Sequence, residues 1–210
     1  MNEKFYSLSE EKQQSILNAA MEVFALNEYK RASTDLIAAK AGVSKGLLFY
    51  YFHNKKELFL YLYDYVIEIM RREVVSQKFR EITDFFELLE YSAAEKVKIL
   101  AKNPYIMEFA MRVFYSEKEE VSEDLQQVTT SQARNLYQEY FQHLDTYKFR
   151  EGIDQVYIFK MLVWMADGYM HDMKMNRRKL ELYELQKEFH TWIRMLKRLV
   201  YREEYLDEDD

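Results

Sequence analysis

Cysteine is absent from this chain, which excludes a disulfide framework, a thiolate nucleophile and a cysteine-based zinc site. Proline occurs once, at Pro104, and glycine four times, at Gly42, Gly46, Gly152 and Gly168. Few positions can therefore break a helix or turn a hairpin. Runs of Val, Ile and Thr between Gly or Asn-Gly turns are missing as well, so an all-α protein is expected rather than a sheet protein. No apolar run approaches membrane-spanning length, and the opening Met1-Asn2-Glu3-Lys4 is charged where a signal peptide would begin its apolar core. These features point to a cytoplasmic protein with no membrane partner.

Positive charge is outweighed: 30 Lys and Arg stand against 36 Asp and Glu, and the 210 residues carry a net charge of −6. The deficit is uneven, because residues 1–60 balance at +1 while the remainder stands at −7. A nearly neutral module on an acidic body fits specific rather than blanket attraction to nucleic acid.

What is present centres on residues 34–56, TDLIAAKAGVSKGLLFYYFHNKK. Ser33 and Thr34 can cap a short helix whose apolar face is Leu36, Ile37 and Ala41, and Gly42 ends it after two turns. A second short helix begins at Ser44. Two brief helices about a glycine turn predict a helix-turn-helix whose second member fits the major groove of duplex DNA. An earlier helix following Ser9, with Ile16, Leu17, Ala20 and Phe24 at helical spacing, would close a three-helix core. Farther on, a long helix through Leu58, Leu62, Tyr65 and Ile69 leads into the larger part. Helices are then expected over 79–90, 94–100, from Pro104 to about Phe114, over 122–149, over 153–175 and over 179–205.

The segment GVSKGLLFYYFHNKKEL, Gly42 to Leu58, closely resembles the TetR family of transcriptional regulators. That family shows Gly-Val-Ser-(Lys/Arg)-Gly, an aromatic run ending in Phe, and a polar gap before Lys, Glu and Leu. The resemblance covers residues 10–60. It implies about nine helices, with a three-helix DNA-binding domain over 1–53 and a larger effector-binding and dimerisation domain over 54–210. It further implies a palindromic operator in double-stranded DNA, a small-molecule effector and a homodimer. Repressor, activator, and a sequestering protein with a vestigial DNA-binding domain remain as readings, the repressor being preferred.

Residue chemistry supplies the DNA-facing candidates. Ser44 sits where a helix start presents unpaired amides to a phosphate. Lys45 can reach a guanine edge or a phosphate, and Gly46 allows close backbone approach. Tyr50 and Tyr51 offer hydroxyls to phosphates, Lys55 a point charge, and Ser33 and Thr34 an anchor on the far side of the groove. Leu47 and Phe49 depart from the family pattern, which favours a small polar residue and a tyrosine there, and either can touch a thymine methyl. Leu48 and Phe52 are expected to face inward.

The chain is rich in Met, Tyr and Phe, with 11, 18 and 14 of each. Such residues suit a pocket for a bulky apolar molecule as well as an ordinary core. The effector candidates are Tyr65, Met107, Met111, Phe114, Tyr137, Phe141, Trp164 and Met165, for a neutral or cationic apolar compound, with acyl-CoA as the rival. The dimer candidates are Met161, Leu162, Gly168, Tyr169, Phe189, Trp192, Ile193 and Leu196 on the last two helices. Asp167 and His171 form an i,i+4 pair without a third ligand, so no metal is expected. No cofactor is expected either, and the absence of a nucleophile elbow, a P-loop or a dinucleotide-binding glycine motif argues against an enzyme.

Overall fold

The computed structural model describes residues 3–115, 141, 143–176, 178 and 181–206. Among them lie nine α-helices: α1 Glu10–Leu26, α2 Thr34–Ala41, α3 Lys45–Phe52, α4 Lys55–Val74, α5 Gln77–Glu81, α6 Phe85–Lys102, α7 Pro104–Tyr115, α8 Gln155–Met175 and α9 Leu182–Val200. The all-α expectation holds. Among the described residues β-structure is limited to one isolated antiparallel bridge, Phe149 to Tyr201.

The chain forms two compact units, Met1–Glu73 with Ile99–Glu139, and Val74–Lys98 with Tyr140–Asp210. Helix α4 stays with α1–α3 because Leu58, Phe59 and Leu62 are buried, and the Phe59 ring meets Phe24, Tyr29 and Phe109 at 5.0–5.3 Å between centroids.

In the first unit, Ser9 starts α1 by accepting the Lys12 amide at 3.3 Å. Ile16, Leu17, Ala20 and Phe24 are buried as their spacing predicts. Phe5, from a short turn before α1, is buried against Phe52, Tyr51 and Tyr61 with centroids 4.9–5.8 Å apart. Full burial of one such ring contributes about 1.5–3 kcal/mol, so this aromatic group anchors α3 from behind.

The second unit is closed by another aromatic group. Phe85 and Phe86 open α6 and pack with Phe149 and Tyr201, the Phe149 and Tyr201 rings lying 4.8 Å apart. The break expected near Ser92 is absent, and α6 runs unbroken. Ser92 is only 2 % exposed, and its hydroxyl donates to the Leu88 carbonyl at 2.7 Å, so the helix satisfies its own buried polar group. The last helix is also shorter than expected. Tyr201 leaves helical geometry for extended backbone, and Arg150 N–H donates to Val200 O at 2.8 Å while Arg202 N–H donates to Lys148 O at 2.9 Å. The expected helix over 122–149 falls up to residue 140 outside the described residues.

Candidate nucleic-acid interface

Helices α2 and α3 are each started by a serine. Ser33 Oγ accepts the Leu36 amide at 3.3 Å, and Ser44 Oγ accepts the Leu47 amide at 3.1 Å. Between them Gly42 takes the left-handed conformation at φ 60°, ψ 41° and donates its amide to Ala39 O, while Val43 N–H donates to Ala38 O at 3.0 Å. Both bonds close the end of α2 and set the turn.

The two faces of α3 then separate. Leu48 and Phe52 are buried, and Ser44, Lys45, Gly46, Leu47 and Tyr50 are exposed, with Phe49 between these extremes. Exposed serine, lysine, glycine and tyrosine on an eight-residue helix present donors and a cation along one edge, which is the chemistry a major groove reads.

Three expectations change. Tyr51 does not share the outward face with Tyr50. It is 5 % exposed, with its ring edge-on to Phe5 at 5.8 Å, because α3 is anchored by aromatic packing on both of its last two residues. Lys55 does not present its ammonium outward as a bare point charge. Its Nζ donates to the carbonyls of Tyr29, Lys30 and Ala32 at 2.6, 3.3 and 3.2 Å, and it lies 4.6 Å from the Tyr29 ring centre. Leu36, expected on the apolar face of α2, is exposed, since Ile37, Ala38 and Ala41 already fill the buried side.

Sequence reasoning passed over two acidic neighbours. Asp35 on α2 holds the Lys45 ammonium at 2.8 Å, both side chains being exposed. Glu22 on α1 pairs with Lys40 on α2 at 3.0 Å. The Lys40 bond, joined by a Tyr105 hydroxyl from α7, holds the Glu22 carboxyl below the ordinary carboxylate range against the effect of burial. Neither pair has a spacing signal, because each joins separate helices.

Residues 16–62 match the family described as bacterial regulatory proteins, tetR family, and so span most of α1, then α2, the turn, α3 and the start of α4. Over these residues the chain is similar to the TetR family. It is similar to the HTH-type transcriptional activator FasR of Mycolicibacterium smegmatis, with 31 % identity over 116 residues, 47 % of this chain and 49 % of that one. The aligned part thus spans about half the length of that curated relative. The fold is shared with the fatty acid degradation regulator FadR from Bacillus halodurans, at 24 % identity, TM-score 0.66, and coverage of 86 % of this chain and 96 % of that one. It is shared also with FadR from Bacillus subtilis in complex with stearoyl-CoA, at 19 % identity, TM-score 0.61, and coverage of 86 % and 96 %.

The effector candidates fall in both units. Tyr65 and Met107 belong to the first, and Phe141, Trp164 and Met165 to the second. Tyr65 donates its hydroxyl to Gln14 at 2.8 Å. Phe141 packs tilted against Phe85 at 5.4 Å and edge-on against Phe159 at 4.9 Å. Trp164 is 57 % exposed and touches Tyr157, so it stands on an open helix face rather than in a pocket. Tyr137 and the side chains of Met111 and Phe114 lie outside the described residues.

The dimer candidates divide similarly. Leu162, at 1 % exposed, and Ile193 and Leu196 are buried within the chain, where α8 and α9 pack on their own unit, so they are corrected to core. Tyr169, Phe189 and Trp192 form a ring cluster at 5.9 and 6.3 Å. Tyr157, Trp164, Gly168 and Met175 on α8 are exposed, with Met161 half-buried, spaced by three, four or seven residues, and Val163, Lys160, Asp167, His171 and Asp172 are exposed as well. On α9 Met195 and Leu199 are exposed in the same way. Among the described residues no three His, Asp or Glu side chains gather as a metal site would require, and no helix is long and apolar enough to cross a membrane.

Proposed function

We propose that this protein is a homodimeric, sequence-specific regulator of transcription that releases its operator when a small molecule binds. The carrying observation is the two-faced α3, with Leu48, Tyr51 and Phe52 buried behind Ser44, Lys45, Gly46, Leu47 and Tyr50. A helix held rigidly from behind and polar in front can enter a major groove without losing its fold. Residues 1–53 read the DNA in this proposal, and 54–210 hold the effector and the dimer contact. Its site of action is the cytoplasm, where the DNA is.

The exposed stripe of α8 supports pairing of two copies, because large apolar side chains at three- and four-residue spacing suit a helix of a second chain. Two copies set ~34–36 Å apart would read successive turns of a palindrome. The effector is proposed to be mainly apolar. The stearoyl-CoA held by the B. subtilis protein of shared fold puts a long acyl thioester first among compounds to screen. The name of the M. smegmatis relative favours a second reading, activation rather than repression.

Selection of bound duplexes from a random pool by the full chain tests the reading. One palindromic sequence is expected, bound with steep salt dependence. Lys45→Ala with Tyr50→Ala is expected to abolish that binding while the dimer stays folded. Recovery of no preferred sequence would refute the proposal.

A further inference from the structure

Two lysine ammonium groups of the first unit are turned inward onto backbone carbonyls at the two ends of α2. Lys12 on α1 donates to Ala41 O at 3.1 Å and to Gly42 O at 3.0 Å, at the C-terminal end and the turn. Lys55 on α4 donates to Tyr29, Lys30 and Ala32 carbonyls, on the connector that delivers Ser33 to the N-terminal end. The ends of a short helix carry its unpaired backbone groups. A cation near the last carbonyls also meets the negative end of the helix dipole. The connector that Lys55 grips is itself fixed by the buried Tyr29 ring, which stacks on Phe24.

We infer that Lys12 and Lys55 are positioning residues for DNA reading, an ammonium clamp at each end of α2 that fixes the Ser33 and Ser44 helix starts relative to each other. The inference rests on the DNA-binding reading above. Neither lysine touches DNA in this account; both act through backbone. Loss of a clamp lets the connector or the turn shift, so the base-reading edge of α3 and the phosphate-holding start of α2 fall out of register. Specific binding depends on that register, and phosphate attraction does not.

The test measures binding of the full-length chain to its selected operator and to a scrambled duplex across a salt series. Lys12→Met and Lys55→Met keep the stem and remove the ammonium; Lys12→Arg and Lys55→Arg retain a donor; Lys45→Met serves as the contact control. Each Met variant is expected to lose affinity for the operator by about tenfold or more, to bind scrambled duplex as the parent does, and to keep the parent's salt slope. The Arg variants are expected to restore most of the loss. A slope lowered by about 0.9 per lost contact, as expected for Lys45→Met, would make the lysine a phosphate ligand and overturn the inference. Unchanged operator affinity in both Met variants would overturn it as well.

Amide exchange read on the same variants separates this inference from the DNA reading. Lys12→Met should speed exchange at Gly42 and Val43, and Lys55→Met at Ala32 and Leu36. If the parent binds no duplex selectively, the DNA reading fails, and unchanged exchange would then remove the clamps too.

Discussion

The Lys148 ammonium lies 2.7 Å from Oδ2 of Asp84, and the Tyr201 hydroxyl donates to the same oxygen at 3.1 Å. Asp84 Oδ1 meanwhile accepts the Glu87 amide at 3.0 Å at the start of α6. One carboxylate thus ties a helix start, the 143–154 connection and the residue ending α9. Burial pushes its pKa up, but the Glu87 amide, Lys148 and Tyr201 outweigh it, and the net shift is downward. A depressed carboxylate contributes stability that is present above its unfolded value, near 3.9, and lost as pH falls through the folded value. Asp84→Asn is expected to cost about 2–3 kcal/mol at neutral pH and to flatten the acid limb below about pH 4. Urea melts of parent and variant between pH 3 and 7 check this; parallel curves would contradict it.

Lys148 shows the opposite sign. Its hydrogen bond to Asp84 raises its pKa against the effect of burial, so its contribution is complete below the unfolded lysine value, near 10.4, and fades as pH rises through the folded one. Lys148→Met should therefore differ from the parent least in strong alkali, a comparison made by thermal melts at pH 7 and above pH 10.

Gly42→Ala isolates a backbone effect. An added Cβ would meet Lys12 Nζ at 3.6 Å, ordinary contact, so the cost comes from the left-handed φ of 60° alone. A loss of about 1–2 kcal/mol is expected, read by chemical denaturation. A stabilising result would contradict the αL turn.

Ser44→Ala removes the bond to the Leu47 amide and is expected to cost about 1 kcal/mol of stability. Operator affinity should fall by more than this loss explains, since the proposed phosphate seat is emptied with it. Equal operator affinity after correction for folding would take Ser44 off the DNA face.

Leu47→Thr tests base preference. In place of the exposed leucine, a threonine can make a hydrogen bond and keeps a methyl, so discrimination at one base pair should shift by about 1–3 kcal/mol. Repeating the duplex selection with the variant shows whether one operator position changes while the rest persist.

Trp164→Glu places a charge on the exposed stripe of α8. The side chain is largely in solvent, so the fold should persist while sedimentation shows monomers and operator binding collapses. A dimer that survives this change would move the contact elsewhere.

The helix-turn-helix was legible because its signals are local. Ser33, Gly42 and Ser44 act on amides and dihedrals within a few residues of themselves, and the inward Leu48 and Phe52 follow a single helical period. Tyr51 and Lys55 were misread because their partners, Phe5 and the Tyr29–Ala32 carbonyls, come from distant turns. In the second unit, Ile193 and Leu196 occupy an amphipathic stripe that fits a partner chain and a private core equally well, and only burial separates them. Ser92 looked like a break because serine prefers helix ends; its bond to Leu88 removes that conflict.

Tyr201 carries a consequence for synthesis. It completes a cluster whose other members begin at Asp84 and Phe85, 117 residues earlier in the case of Asp84. A chain made from its N-terminus can bury Phe5, Phe24 and Phe52 long before its last helix exists. Phe86, by contrast, gains the Tyr201 ring only when the last helix has been made, so the packing of the second unit is completed after that of the first.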